Sequence, residues 1–300
     1  MSRSDRYTKD FMPTKEAIQR TYADYTELKE LLENSVFHES GYYSLNNGKW
    51  FNSAIPSFLY FKIQKPDDEI LLSRIYCELS IVSKGSRSQQ KNDDIDAFWS
   101  NHPNSIWGQN KISSTGVFHE GHLIARSLVK YAHTFDYKKW QNFVMLTDWT
   151  NSAETFNGDK KAYGMKYFEK IIQESLDEGR DIHYRVTPVF KKNDLEFEPI
   201  PRGIILEARI AHSRAKSHRF VGYEGSQFNV FIPNAQGNLI ISYKDGKISV
   251  KNERNPENPK FQANLIFKNV DSSDNKLSFN KKEIMELWLL RRLETSFSGP

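Results

Sequence analysis

Three side chains that together could hydrolyse a phosphodiester with one metal ion, His122, Asn151 and Glu169, lie within about fifty residues of sequence. An imidazole is the side chain whose ordinary pKa lies nearest neutrality, so His122 could take a proton from water. Mg²⁺ prefers oxygen ligands and keeps several of its waters, so the amide oxygen of Asn151 could be its one direct protein ligand. Glu169 could then hold one of those waters, which makes the three groups a chemically coherent set.

The sequence around these residues predicts the elements that must hold them. Residues 117–124 form a strand and loop that carry His122. A helix follows, and its apolar face is made by Tyr163, Tyr167, Phe168, Ile171, Ile172 and Leu176. Gly179 is a suitable C-terminal cap for this helix, and Glu169 lies beside its apolar face. Apolar and polar residues then alternate over 182–187, so we predict an α+β fold with an antiparallel or mixed sheet.

Several segments resemble, in the same order, the DNA/RNA non-specific endonucleases of the ββα-metal family, and most closely the streptococcal secreted and surface DNases. They are Gly121–Leu128, Asn142–Ala153, Tyr167–Leu176, Asp181–Phe190, Ile205–Arg209 and Phe228–Asn234. The resemblance extends from about residue 71 to residue 250. It implies a ββα-metal (His-Me finger) nuclease core with a central, mostly antiparallel sheet, flanked by N- and C-terminal helical extensions.

The resemblance also implies a role for each site residue. His122 matches the family's general base, Asn151 its metal-ligating asparagine, Glu169 the carboxylate that supports the metal, and Asn142 a further catalytic asparagine. It implies one Mg²⁺ or Mn²⁺ ion in each active site, DNA as the substrate with RNA as a second candidate, and products that carry 5′-phosphates. From the residues alone, Asn151 could instead cap a helix, and Glu169 could pair with Lys166.

One departure from the family affects the substrate phosphate. The family has Asp-Arg before Gly-His, whereas this chain has His119 and Glu120. Loss of that arginine removes a cation that could neutralise the phosphate. Either another base such as Arg126 or Arg185 replaces it, or His119 and Glu120 have a different role here. The same departure motivates an alternative function, a nucleic-acid-binding or regulatory module that keeps the fold with attenuated catalysis.

A basic segment and a histidine pair add further candidates. Residues 209–219 contain Arg209 and Arg214 among six basic or histidine side chains and no acid, which is typical either of a solvated loop or of a loop that follows phosphates. His119 and His122 could be read as zinc ligands, but a zinc peptidase needs two histidines four residues apart on a helix. Cys77 is the only cysteine, so neither an intrachain disulfide nor a thiolate zinc cluster can form.

The charge and the chain start suggest where such an enzyme would act. The net charge of +4 permits nucleic-acid binding without indicating it. No stretch approaches the roughly 18 apolar residues of a membrane span, and the start is polar, so we expect a cytoplasmic protein with no membrane partner, or a secreted one if a leader had been removed. A nuclease inside a cell needs restraint, which suggests a conditional effector in antiphage defence or as a toxin between bacteria, or a phage enzyme that degrades host DNA.

The domain organisation follows from these patterns. We predict an N-terminal helical extension at 1–66, a nuclease domain at 67–252, and a C-terminal linker and helix at 253–300. Within them we expect a helix from Thr14 to Asn34 and another from Glu69 to Ser83, with a strand over 57–63. The terminal helices could bind a regulatory or inhibitory protein, or a second copy of the chain.

Overall fold

A central sheet with helices on both faces organises the molecule. The computed structural model describes residues 12–52, 56–59, 62–65, 68–71, 75–79, 118–132, 142–154, 162–193, 196–198, 200–244, 246 and 248–250. The strands are β1 Val36–His38, β2 Tyr42–Ser44, β3 Lys62–Lys65, β4 Asp68–Leu71, β5 Ile75–Leu79, β6 Phe118–His122, β7 Phe143–Thr147, β8 Arg180–Val189, β9 Lys192–Asn193, β10 Glu196–Phe197, β11 Gly203–Ser213, β12 Gln227–Pro233, β13 Leu239–Ile241 and β14 Ile248–Val250. The helices are α1 Lys15–Arg20, α2 Thr26–Glu33, α3 Arg126–Val129, α4 Asp148–Ser152 and α5 Met165–Asp177.

The main sheet has six strands in the order β1-β2-β12-β11-β8-β5, and every neighbouring pair is antiparallel. Its centre is the long pair of β8 and β11, in which Gly203 lies opposite Val189 and Ser213 opposite Arg180. The predicted mixture of helices and strands around a central antiparallel sheet is confirmed. The strands β6 and β7 form a separate antiparallel hairpin that leads directly into α4.

Strand alternation gives the main sheet two different faces, because successive side chains of a strand point to opposite sides. One face packs against α5, and its core residues include Ile182, Tyr184, Val186, Leu206, Ala208, Phe168 and Ile172. The other face packs against the N-terminal helices, and its core residues include Val189, Ile205, Phe231, Leu28 and Leu32. A residue of β8, or of β11 as far as the bulge after Ile210, therefore faces α5 when its number is even and α1–α2 when its number is odd.

Two predictions for the region before residue 80 are wrong. The expected helix over Glu69–Ser83 is replaced by β4 and β5, and β5 pairs with β8 at the edge of the main sheet. Pairing with a long neighbouring strand outweighs the local helical pattern of this segment. The expected strand over 57–63 is a short 3₁₀ turn at Ser57–Leu59 followed by β3.

The N-terminal segment forms part of the main core. The helix expected from Thr14 to Asn34 divides into α1 and α2, and Thr14 caps α1 by accepting a hydrogen bond from the backbone N–H of Ala17 (3.1 Å). After α2, the strands β1 and β2 join the main sheet through β12. The segment is thus both helical and stranded, and its apolar side chains cover one face of the sheet.

A hairpin lies near the C-terminal side of the described residues. β13 and β14 pair antiparallel, and Gly246 between them has a positive φ of 70°. The C-terminal linker and helix predicted at 253–300 lie outside the described residues. Among the helices that are described, none combines the length and apolar composition needed to cross a membrane.

Candidate active site

His122 is the last residue of β6 and lies opposite Phe143 in the hairpin register. Its ring is half-buried and lies 4.5 Å from the Phe143 ring, centroid to centroid. The preceding Gly121 is needed for close packing, because a Cβ at this position would lie 2.5 Å from the Leu146 side chain. The hairpin therefore fixes the backbone that carries the imidazole.

Asn142 holds the turn that follows His122. Its Oδ1 accepts a hydrogen bond from the Ile124 backbone N–H (2.8 Å), and its Nδ2 donates to the Ile124 carbonyl (3.1 Å). The Asn142 carbonyl also accepts from the Leu123 N–H (2.7 Å). Because Asn142 is 1% exposed, these bonds are protected from water, and they hold the chain immediately after the imidazole.

Asn151 lies on α4, a helix of five residues that starts directly after β7. Thr147 caps this helix by accepting a hydrogen bond from the Thr150 N–H (3.2 Å), so Asn151 does not serve as its N-cap. Asn151 is half-buried, and its Nδ2 donates to Ser152 Oγ (3.1 Å). Among the described residues, none donates a hydrogen bond to Asn151 Oδ1, which leaves this oxygen suited to a hard cation.

Glu169 lies in the N-terminal half of α5, next to the buried Phe168. Its side chain is half-buried, and burial raises the pKa of its carboxyl from 4.5 to about 8, while the charge of Lys166 acts in the opposite direction. Lys166 itself pairs with Glu154 (2.5 Å) instead of with Glu169. A carboxyl in such surroundings is poised to interact with a cation.

α4 packs closely on α5, so the elements that carry Asn151 and Glu169 are in contact. Gly164 precedes α5, and a Cβ there would lie 2.4 Å from the Trp149 carbonyl oxygen of α4. The Gly164 N–H donates to the Ala153 carbonyl (3.1 Å), which joins the end of α4 to the start of α5. Since α4 also packs against β6, the elements that carry His122, Asn151 and Glu169 contact one another.

Two of the basic residues predicted to bind substrate lie on the opposite face of the main sheet. Arg185 and Arg209 have odd numbers on β8 and β11, so they face the N-terminal segment. Arg185 is 6% exposed and forms a bidentate ion pair with Glu207 (2.5 and 2.6 Å). Arg209 donates to His183 Nδ1 and lies over the Trp50 ring. The Arg185 guanidinium is therefore buried against Glu207, and Arg209 is turned away from α5, so neither position favours a substrate contact.

Arg126 and Arg214 are exposed, as a phosphate-binding residue must be. Arg126 begins α3, four residues after His122. Arg214 follows β11 in the predicted basic segment, and its nearest acidic partner is Asp181 at 3.8 Å. Of the four predicted substrate-binding residues, Arg126 is the one that the chain places next to the imidazole.

His119 and Glu120 lie within β6, opposite Leu146 and Met145. The helix that a zinc-peptidase histidine pair requires is therefore not formed here, because this stretch is a strand. Within the described ranges, no three His, Cys, Asp or Glu side chains come together as a metal cluster.

Two site-supporting residues that the sequence did not reveal, Asn234 and Gln236, contact the start of α4 from beyond β12. Asn234 Oδ1 accepts from the Thr147 N–H (2.8 Å), and Gln236 Oε1 accepts from the Trp149 N–H (3.0 Å). No hydrophobic period marks them. Their one visible signal is the short polar run that directly follows the apolar strand β12.

No protein-family model matches the chain. Among solved structures, it is similar to NucA from Streptococcus agalactiae with a magnesium ion bound, with a TM-score of 0.50, 21% identity, and coverage of 79% of this chain and 100% of that one. NucA from the same organism with no metal bound gives a TM-score of 0.49 at 21% identity over 78% of this chain and 99% of that one. The Sda1 nuclease with a bound zinc ion gives 0.32 at 17% identity over 81% of this chain and 77% of that one. The chain shares its fold with NucA, and its resemblance to the streptococcal nucleases is confirmed at this level.

Proposed function

We propose that this protein is a metal-dependent endonuclease that hydrolyses DNA with little sequence preference, using a ββα-metal site. The observation that carries the proposal is the juxtaposition of the β6–β7 hairpin bearing His122 with α4 bearing Asn151 and α5 bearing Glu169. The two paired strands β6 and β7 precede α4 in the sequence, with the short α3 between the strands, in a chain with the fold of NucA. RNA is the second candidate substrate.

In this mechanism His122 removes a proton from water as the water oxygen attacks phosphorus. The bond from phosphorus to the 3′ oxygen breaks, and the leaving 3′ oxygen takes a proton from water. One fragment therefore ends in a 3′ hydroxyl, and the phosphate stays on the 5′ oxygen of the other fragment. Asn142 acts through His122, because its two hydrogen bonds to Ile124 hold the backbone that follows the imidazole. Its contribution is positioning, since an imidazole displaced by about 1 Å loses much of its effectiveness.

The residues present fit one hydrated divalent cation. Asn151 would be the direct ligand through Oδ1, and Glu169 would hold a water of the ion, because a half-buried carboxyl with a raised pKa is stabilised by a nearby positive charge. When bound, the ion would neutralise charge that develops on the phosphate and the leaving oxygen. The magnesium bound to NucA supports Mg²⁺ as the ion, with Mn²⁺ as a substitute.

Substrate contacts would be made mainly to the phosphate backbone. Arg126 is the best candidate for the cation that replaces the family's arginine, because it is exposed and follows His122 closely. Arg214 and the exposed basic residues around it would contribute more distant phosphate contacts. Such binding depends strongly on salt and weakly on sequence.

The test is digestion of supercoiled plasmid, linear duplex, single-stranded DNA and RNA, each with Mg²⁺, Mn²⁺ or EDTA. The wild type is compared with His122→Ala and with His183→Gln, a matched histidine change on the opposite face of the sheet. We expect metal-dependent cleavage that His122→Ala abolishes and His183→Gln retains, with 5′-phosphate ends. A wild type that binds DNA without cutting it would refute the proposal in favour of a binding module.

The biological setting is a separate hypothesis. A nuclease that acts where its own genome is present must be held inactive until needed, so we propose a conditional effector in defence or toxin biology. Co-purification of the His122→Ala variant from its native host, followed by identification of bound proteins, tests this. The expected result is an inhibitor bound in stoichiometric amount. The hypothesis would be contradicted if no inhibitor is found and the wild-type protein is fully active in that host without harming it.

A further inference from the structure

The helix that carries Asn151 cannot hold its own position. α4 has five residues, far below the about 12 residues at which an isolated helix becomes even marginally stable in water. The first N–H groups of any helix also lack partners within the helix. The placement of Asn151 therefore depends on what contacts the first turn of α4 from outside.

The segment Pro233–Gln236 supplies these contacts at four points. The Thr147 N–H donates to Asn234 Oδ1 (2.8 Å), and the Trp149 N–H donates to Gln236 Oε1 (3.0 Å). The Thr147 hydroxyl donates to the Ala235 carbonyl (3.0 Å), and the Thr150 hydroxyl donates to the Pro233 carbonyl (2.8 Å). Side chains and backbone of this segment thus bind both the capping residue and the first turn.

The segment is itself held to the main core. Asn234 Nδ2 donates to the carbonyls of Met145 (3.0 Å) and Pro201 (2.9 Å), and the Tyr243 hydroxyl donates to the Asn234 carbonyl (2.7 Å). Both Asn234 and Gln236 are 0% exposed. Because these bonds are buried, water cannot replace them easily, and the segment forms a rigid link from the main sheet to α4.

We propose that Asn234 and Gln236 are positioning residues for the metal ligand Asn151. This inference rests on the proposed function, because it assigns the two amides a role in metal binding in addition to folding. One direct protein ligand gives a metal site little tolerance for movement of that ligand. Residues that orient a ligand typically change metal affinity by about 10- to 100-fold when they are replaced.

The test uses two variants of one residue. Gln236→Met keeps the size of the side chain and removes the acceptor for the Trp149 N–H, whereas Gln236→Glu retains an acceptor oxygen. The control is Thr21→Val, which removes the buried hydrogen bond from the Thr21 hydroxyl to the Ile18 carbonyl of α1 and leaves the bonds of Gln236 to α4 unchanged. Mn²⁺ affinity is measured by electron paramagnetic resonance, and amide hydrogen exchange is measured over residues 145–153.

We expect Gln236→Met to weaken Mn²⁺ binding by about tenfold or more and to speed exchange at Trp149, with recovery in Gln236→Glu and no change in Thr21→Val. Unchanged Mn²⁺ affinity in a folded Gln236→Met protein would overturn the proposal, and so would an equal loss in Thr21→Val. A wild type that binds no Mn²⁺ would contradict the proposed function instead. The exchange data would then decide whether Gln236 positions α4, and unchanged exchange in Gln236→Met would reject that role as well.

Discussion

Replacing Glu169 by glutamine should stabilise the folded protein while abolishing its cleavage of DNA. Burial raises the pKa of this carboxyl from 4.5 to about 8. Between these two pH values the folded state therefore keeps a proton that the unfolded state has lost. It follows that wild-type stability falls as the pH rises from about 4.5 to 8 and is then constant, and this loss should be missing in Glu169→Gln.

The size of the effect follows from the same pKa difference. One pKa unit corresponds to about 1.4 kcal/mol, and pH 7 lies about 2.5 units above 4.5, so the carboxyl could destabilise the folded state at pH 7 by at most about 3.5 kcal/mol. Because Glu169 is only half-buried, solvent screening reduces this figure, and we expect a gain of about 1–3 kcal/mol in Glu169→Gln. A bound cation favours the ionised form, so Mg²⁺ should stabilise the wild type more than the variant.

The assay is urea unfolding at pH 4.5, 6, 7 and 8.5, with and without Mg²⁺. The matched control is Glu174→Gln, an exposed position on the same helix, which should change the free energy of unfolding by less than about 0.5 kcal/mol. If Glu169→Gln has the same stability as the wild type at every pH, the carboxyl is not desolvated. If it is more stable but still cuts DNA at the wild-type rate, Glu169 has no part in the site.

Three further predictions concern packing, the sheet face and the substrate. Gly164→Ala should push α4 away from α5, because the added Cβ would lie 2.4 Å from the Trp149 carbonyl oxygen. We expect the free energy of unfolding in urea to fall by about 1–3 kcal/mol and cleavage to become much weaker. Normal cleavage would show that this contact does not position the site residues. Arg185→Met should destabilise the protein by about 3–5 kcal/mol, because it leaves Glu207 unpaired. Adding Glu207→Met to this variant should restore much of the lost stability. If the folded double variant loses DNA binding, the role of Arg185 is not purely structural. Arg126→Ala, made in the His122→Ala variant, should weaken the salt dependence of DNA binding. The magnitude of the slope of log affinity against log salt should fall by about one, and an unchanged slope would exclude a contact between Arg126 and a phosphate.

The spacing of hydrophobic residues predicted secondary structure correctly where a helix or strand packs against the core with one face. The apolar positions of α5 and the alternation in β8 correctly indicated a helix that ends near Gly179 and a strand that follows it. The same reasoning failed at 69–83, where two short strands replace the expected helix. Short elements bury too little surface for their own pattern to dominate, so strand pairing decides their structure, with β3 for β4 and with β8 for β5.

Which basic side chains are exposed and could bind substrate was harder to predict from the sequence than the fold. Arg185 and Arg126 are equally basic in the sequence, but Arg185 is buried against Glu207, whereas Arg126 is exposed on α3, four residues after His122. Strand parity explains the position of Arg185, since an odd-numbered residue of β8 faces away from α5. Odd or even position in a strand predicts whether a side chain can reach the site only when it is known which face of the sheet lies on the side of the site. The packing of α5 determines that face.

The two halves of the proposed site are stabilised in different ways. Glu169 lies on a long amphipathic helix whose position is set by its own apolar face, so a local pattern predicts where it lies. Asn151 lies on a helix too short to be stable alone, and residues more than eighty positions away in the sequence hold it. A variant that loosens Gln236 should therefore damage metal binding before it unfolds the core. If such a variant loses Mn²⁺ binding while its main sheet stays folded, the metal site depends on residues that are distant from Asn151 in the sequence.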